Sequence, residues 1–274
     1  MILSARKLRA GLLGPRIATV AAILGAAFLF FCSRGVPANQ SKPPDVEQVL
    51  GRLDDLFRSK SSVATVELSV TKPKRKHTLR MKMWTKGEDK ALVVIEEPAR
   101  DRGMATLKVD KNLWNYLPKI SRTIRIPPSM MLSSWMGSDF TNDDLVRESS
   151  LRKDFSSRLV GRADKIAGWL IELRAKEGTV GRWQRIEYVV SEDGALPLQA
   201  MFYDRRNGLA RIMAFEDVRL FGGRRIPSRM VLTPIGEDGQ PEPGRRTEMR
   251  YLEVVFDADV PDNTFSLSRL ERNR

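Results

Sequence analysis

Past residue 62 the hydrophobic period of this chain changes from that of a helix to that of a strand. Val66, Leu68 and Val70 alternate with Thr65, Glu67 and Ser69, and Leu79, Met81 and Met83 alternate with Arg80, Lys82 and Trp84. Ile186, Tyr188 and Val190 repeat the pattern, and Met249, Tyr251, Glu253 and Val255 follow it less cleanly. A period of two puts one set of side chains on one face of a sheet and the other set on the opposite face. Turn-forming clusters separate the runs at hairpin distances: Lys86-Gly87-Glu88-Asp89, Asp110-Lys111-Asn112, Glu192-Asp193-Gly194, Asn207-Gly208, Gly222-Gly223 and Glu237-Asp238-Gly239. Asn207-Gly208 carries the strongest hairpin signal, because both central residues of a type I′ turn need positive φ. The spacing predicts roughly ten strands with no helices alternating between them. That pattern argues against a parallel α/β sheet and predicts one large antiparallel sheet curled toward a barrel.

Two stretches break the strand rhythm. Asp45 opens an amphipathic helix in which Val46, Val49, Leu50, Leu53, Leu56 and Phe57 recur at helical spacing. Asp45 and Gln48 read as its N-terminal capping pair, and Ser59-Lys60-Ser61-Ser62 ends it. The second stretch runs from Pro127 to Leu151. Pro127-Pro128 stops a strand, and Ser129–Met136 is apolar and Met-rich without a period. Gly137–Leu145 then reads as a turn into a short helix. Thr141 and Asp144 have capping-box spacing, while Ser138 or Asp139 also serves as a possible start. Exposed apolar groups on a long loop are a liability unless the loop covers something, so Met130–Phe140 is expected to be a lid.

The N-terminus places the rest of the chain outside the cytoplasm. Arg6, Lys7, Arg9 and Arg16 precede an uncharged apolar run, Ile17–Phe31. This is the order of a secretory signal, and the run is short for a spanning helix. Val36-Pro37-Ala38 fits a signal-peptidase site, so residues 1–38 are expected to be a signal peptide and 39–274 a single domain. Two alternatives stay open: an uncleaved anchor using residues 17–31, or a lipidated Cys32, for which Leu29-Phe30-Phe31-Cys32 is a poor match. Of the formal +13 charge, five basic residues and no acidic ones lie in 1–38, which leaves 236 residues carrying +8. On an exported chain that bias points to an anionic membrane surface or an acidic partner rather than nucleic acid.

The chemical inventory is thin. Cys32 is the only cysteine and His77 the only histidine. Neither a Ser-His triad, a Cys-His nucleophile nor a zinc site can be assembled from them. Asp139, Asn142, Asp143 and Asp144 follow no calcium-loop spacing and read as helix-capping residues. Glu96-Glu97 beside Pro98 reads as solvated. The residues thus point to no enzyme, no cofactor and no metal. The chain is instead rich in adaptable apolar groups: Met81, Met83, Met104, Met130, Met131, Met136, Met201 and Met213, with Trp84, Trp114, Trp135 and Phe140. Methionine suits apolar surfaces that must re-pack around varied ligands.

Leu113-Trp114-Asn115-Tyr116-Leu117-Pro118-Lys119, the basic run Arg122–Ile126, and Met136-Gly137-Ser138-Asp139-Phe140-Thr141-Asn142-Asp143-Asp144-Leu145 resemble the LolA-like group of outer-membrane lipoprotein-sorting proteins. Pro197-Leu198 and the order of elements extend the likeness over most of residues 45–270. The resemblance implies a mainly β fold, a half-open antiparallel β-barrel with an N-terminal helix and a short helical lid, and an apolar cavity for acyl chains. It implies a periplasmic, non-enzymatic carrier of lipoprotein acyl chains or free lipid, working with an inner- or outer-membrane transport partner. A sensor of lipoproteins or lipids that regulates an envelope partner is the alternative; an envelope hydrolase is a third. The lipid-contacting residues expected are Val66, Leu68, Val70, Leu79, Met81, Met83, Trp114, Tyr116, Met131, Trp135, Met136 and Phe140.

Overall fold

The computed structural model describes residues 42–272 except Arg58, Glu148–Ser150 and Val180. The expected signal or anchor segment and Cys32 lie outside the described residues. Among the described residues, thirteen strands form one antiparallel sheet that does not close on itself. The first half comprises β1 (Ser61–Lys72), β2 (Arg75–Lys86), β3 (Lys90–Glu97), β4 (Ala105–Val109), β5 (Asn112–Leu117) and β6 (Arg122–Arg125). The second half comprises β7 (Phe155–Arg162), β8 (Trp169–Ala175), β9 (Trp183–Val190), β10 (Pro197–Asp204), β11 (Leu209–Phe221), β12 (Arg224–Pro234) and β13 (Arg246–Phe256). Each half is a meander. The spatial order runs from β6 back to β1, then to β13, and from β13 back to β7. The first and last strands therefore pair at the centre, and β6 and β7 are the two edges.

This topology explains the non-periodic stretch near the middle of the chain. Residues 126–154 link one edge of the sheet to the other, so they act as a strap and contain α2 (Asn142–Arg147) and α3 (Leu151–Asp154). A strap packed on a sheet has no reason to follow a strand period. The N-terminal helix α1 (Val46–Asp55) lies as its pattern predicts. The Asp45 carboxylate accepts from Gln48 N at 3.1 Å, and Val49 and Leu50 are buried. Burying two such side chains contributes about 1.5–3 kcal/mol each.

One core fills the concave side, where Val66, Leu68 and Val70 of β1 lie beside Met81, Leu79 and Tyr251 of the neighbouring strands. A second core covers the opposite face of β3–β5. There α4 (Leu267–Glu271) and the turn before it set Phe265 and Leu270 on Leu92, Leu107 and Tyr116.

Two local expectations are corrected. Asn207 is left-handed (φ 60), but Gly208 is not among the positive-φ residues. Asp204 instead accepts from the N–H groups of Arg206 and Gly208 and closes a longer loop. Gly222-Gly223, between paired Phe221 and Arg224, is a two-residue hairpin turn with both φ values positive. On β13 the register shifts opposite Thr65/Val66, where Thr65 faces Glu253 and Val66 faces Tyr251. The extra residue, Leu252, reverses the alternation. Val254 therefore joins the core and Val255 is exposed, which accounts for the irregular period there.

Candidate functional site

The core leaves part of the concave face open. A cleft of about 1300 Å³, counting its open mouth, lies between that face, α1 and the strap. Its floor is Met83 of β2, Ile186 and Tyr188 of β9, Phe202 of β10, Met213 and Phe215 of β11, Met230 of β12, and Met249 and Tyr251 of β13. Leu53, Leu56 and Phe57 close one side from α1 and the residues after it. Trp135, Phe140, Leu145 and Leu151 close another from the strap. Phe57 stacks on Tyr251 with ring centres 5.2 Å apart, and Tyr188 stacks on Phe215 at 6.5 Å. A smaller hollow of about 720 Å³ adjoins it and shares Phe57, Met83, Leu145 and Tyr251. Its far wall is more polar, with Thr85, Lys90, Thr106 and Lys108.

One corner of the main cleft is charged. Both terminal nitrogens of Arg211 donate to the Asp144 carboxylate at 2.7 Å. Thr141 adds its backbone N–H at 2.7 Å and its hydroxyl at 2.9 Å, and Trp183 adds its indole N–H at 3.3 Å. Burial pushes the Asp144 carboxyl up, but the Arg211 charge and these donors outweigh it and hold the group below its usual range. Trp183 reaches this corner because the β9–β10 register shifts between Tyr203 and Asp204. Arg182 and Arg211 both lie against its indole, with guanidinium carbons 4.8 and 4.3 Å from the ring centre. Burial lowers the pKa of Arg182, and neighbouring Arg211 adds to that effect.

The family-like motif is what pins the strap. Met136 and Gly137 take positive φ (50° and 73°) and turn the chain, so that Trp135 N donates to Phe140 O at 2.8 Å. Ser138 donates its hydroxyl to Trp135 O and accepts from Phe140 N. The Asp139 carboxylate accepts from Thr247 and Arg245, each at 2.8 Å, and so ties the turn to the sheet at β13. Trp135 is 1% exposed, and its indole N–H donates to Thr106 of β4 at 3.1 Å. Thr141, not Ser138 or Asp139, caps the short helix, through the reciprocal pair with Asp144. The segment lines the cleft with Trp135 and Phe140, and side-chain bonds from the strap reach Thr106 of β4, Thr247 of β13 and Arg211 of β11.

Of the twelve residues expected to meet lipid, Met83, Trp135 and Phe140 line the cleft. Val66, Leu68, Val70, Leu79 and Met81 share its face but are packed in the core and do not line it. Met136 packs against that core, and Met131 is half-buried on the strap. Trp114 and Tyr116 belong to the second core on the opposite face, because the alternating residues Leu113 and Asn115 take the concave side. The residues missed are mostly in the second half. Alternation marked Ile186, Tyr188, Met249 and Tyr251 as one-faced, but nothing local showed which inward residues border open space.

Polar groups elsewhere pair with one another. His77 is half-buried against Arg100 and Asp101, and burial first, then Arg100, lowers its pKa. On the outer face of the sheet Glu172 accepts from Arg158 and Arg174, and Glu248 from Arg229 and Arg250. In each case these guanidinium groups hold the carboxyl down at about 2. Among the described residues, no three His, Cys, Asp or Glu side chains converge on a metal-sized site, and no helix is long and apolar enough to cross a membrane.

No curated protein matches the chain. A family model described as an uncharacterized protein matches residues 87–272. Among solved structures, a DUF1329 family protein from Desulfovibrio piger is similar at 24% identity, covering 81% of this chain and 96% of that one, with a TM-score of 0.72. A LolA superfamily protein from Nitrosomonas europaea is similar at 22% identity, 83% and 100% coverage and a TM-score of 0.68. An outer membrane lipoprotein-sorting protein domain from Vibrio parahaemolyticus is similar at 19% identity, 82% and 96% coverage and a TM-score of 0.67. At these identities the likeness to the solved structures establishes the fold alone.

Proposed function

We propose that this chain, which belongs to the matched family and shares its fold with the LolA superfamily and lipoprotein-sorting structures, is an exported carrier that shelters acyl chains in the cleft and moves them toward the outer membrane. The observation that carries the reading is the cleft wall. It is built from Met83, Met213, Met230 and Met249 with Phe57, Tyr188, Phe202, Phe215 and Tyr251. An acyl chain of about 15 methylenes loses roughly 12 kcal/mol on leaving a membrane for water, at about 0.8 kcal/mol per methylene. An apolar cleft offsets that loss without any catalytic group, and flexible methionines let it accept chains of different shape.

Met213→Asp puts a carboxylate on the floor of the cleft, where chain binding would have to desolvate it. Binding of a fluorescent fatty acid should fall at least about ten-fold, with circular dichroism unchanged. A wild-type protein that binds no acyl chain in this assay, and carries none when purified from its native envelope, would sink the carrier reading. Export with cleavage near Ala38 belongs to the same proposal, and N-terminal sequencing of the envelope form should begin at about Asn39. An anionic membrane is the partner surface that the charge supports. Val218 and Leu220 are exposed beside Arg219 and Arg225 at the tip of the β11–β12 hairpin. Sedimentation with phosphatidylglycerol vesicles, and not with phosphatidylcholine vesicles, is the expected result.

A further inference from the structure

The charged corner of the cleft has one group whose charge is unanswered. Arg211 is 4% exposed and spends both terminal nitrogens on Asp144, which also receives Thr141 and Trp183. Its Nε is buried without a partner. Of the other charged groups on the wall, Asp54 binds Arg152 and Asp143 is engaged. Arg182 lines the same wall and is half-buried against Trp183. Among the described residues no carboxylate pairs with it and no group accepts a hydrogen bond from it. Asp144 and Asp204 act on it from a distance, as do Arg211 and Arg245 with the opposite sign. A guanidinium at the edge of an apolar cleft that gives up water without gaining a counter-ion is unfavourable, and a bidentate oxyanion is the partner its fork fits.

We propose that Arg182 receives the anionic headgroup, a carboxylate or a phosphate, of a single-chain amphiphile whose tail lies in the cleft. This rests on the carrier reading and narrows it. An acyl chain linked as an ester or amide carries no charge of its own, so this corner selects free anionic lipid over a neutral acyl group. Trp183 holds the guanidinium by its ring face, and Arg211 keeps its charge satisfied by Asp144, so Arg182 alone changes partner when ligand enters.

The test is displacement of the neutral dye N-phenyl-1-naphthylamine from the full-length protein. The competitors are palmitate, palmitoyl-lysophosphatidylglycerol and the uncharged monopalmitoylglycerol. The wild type should bind at least one of the two anionic lipids about ten-fold more tightly than the neutral one. The tighter of the two identifies carboxylate or phosphate as the headgroup. Arg182→Met should bring the ratio of anionic to neutral lipid affinity to about one, while Arg182→Lys should retain part of the preference. Palmitate and the lysolipid binding to Arg182→Met as they do to the wild type, or no preference in the wild type, would overturn the headgroup site and leave the carrier standing. A wild type that binds neither dye nor any of the three lipids would overturn both.

Discussion

Arg211→Met is the substitution from which the geometry predicts most. It removes a cation that is 4% exposed and leaves the Asp144 carboxylate, which ties the strap to the sheet, without its charge partner. Breaking one side of a buried ion pair costs about 3–5 kcal/mol. For a domain of this size each kcal/mol is about 2–4 °C in Tm, so the loss is roughly 6–20 °C. Thr141 and Trp183 still donate to Asp144, which favours the lower end. The pH dependence gives a second reading. In the wild type the Asp144 pKa is lowered, so its contribution is present above the unfolded value of 3.8 and is lost as pH falls through the folded value. Without Arg211, burial dominates and raises that pKa. The group then favours the folded state only while protonated, and its penalty grows as pH rises through the raised value. The destabilisation measured by urea unfolding should therefore be larger at pH 7 than at pH 4. Asp144→Asn combined with Arg211→Met should be less destabilised than the sum of the single variants. A loss below about 1 kcal/mol at pH 7, or strict additivity, would refute the argument that this pair anchors the strap.

Other outcomes follow from the same structure. A Cβ on Gly168 would lie 2.1 Å from the carbonyl oxygen of Val190, so Gly168→Ala should cost about 1–3 kcal/mol by forcing β8 and β9 apart, read as a lower urea midpoint. Because the strap is pinned at Trp135, Asp139 and Asp144, the backbone N–H groups of Trp135, Asn142 and Asp143 should exchange slowly in the lipid-free protein. Exchange at the rate of an open loop would instead show that the strap opens as a lid. Glu172 and Glu248 should titrate at about 2, visible in carboxyl carbon chemical shifts. Their contribution to stability is present above the unfolded value of 4.5 and is lost as pH falls toward 2.

Strand alternation, the turns and the capped helix were legible in the sequence because each depends on neighbours a few residues apart. Asp45–Gln48 and Thr141–Asp144 formed where their spacing placed them. The site was harder to read. Val66, Met81 and Met213 follow the same local rule and all join the core, yet only the third also lines a cleft. What separates them is where α1 and the strap come to rest, which no local period encodes. Trp114 and Tyr116 were drawn toward the site by their size, but Thr106 and Asn115, hydrogen-bonded at 2.8 Å, show which side of that hairpin faces inward. The bulges at Leu252 and near Asp204 change parity, and a period-two reading cannot anticipate an inserted residue.

Pairing the first strand with the last sets the order in which the molecule can be assembled. Ser61 and Ala258 touch across 197 residues of chain, and β1 has no partner on its inner side until β13 has been made. The meander from β1 to β6 closes through short loops, so it can form early, whereas the central seam waits for the whole chain. Until then two half-sheets each present an unpaired edge, and such edges invite aggregation. Under the export proposed above this delay is useful: the late seam postpones the final structure until β13 has been threaded across the membrane. It also means that truncation before Arg246 deletes no peripheral strand; it leaves both halves of the sheet with an exposed inner edge.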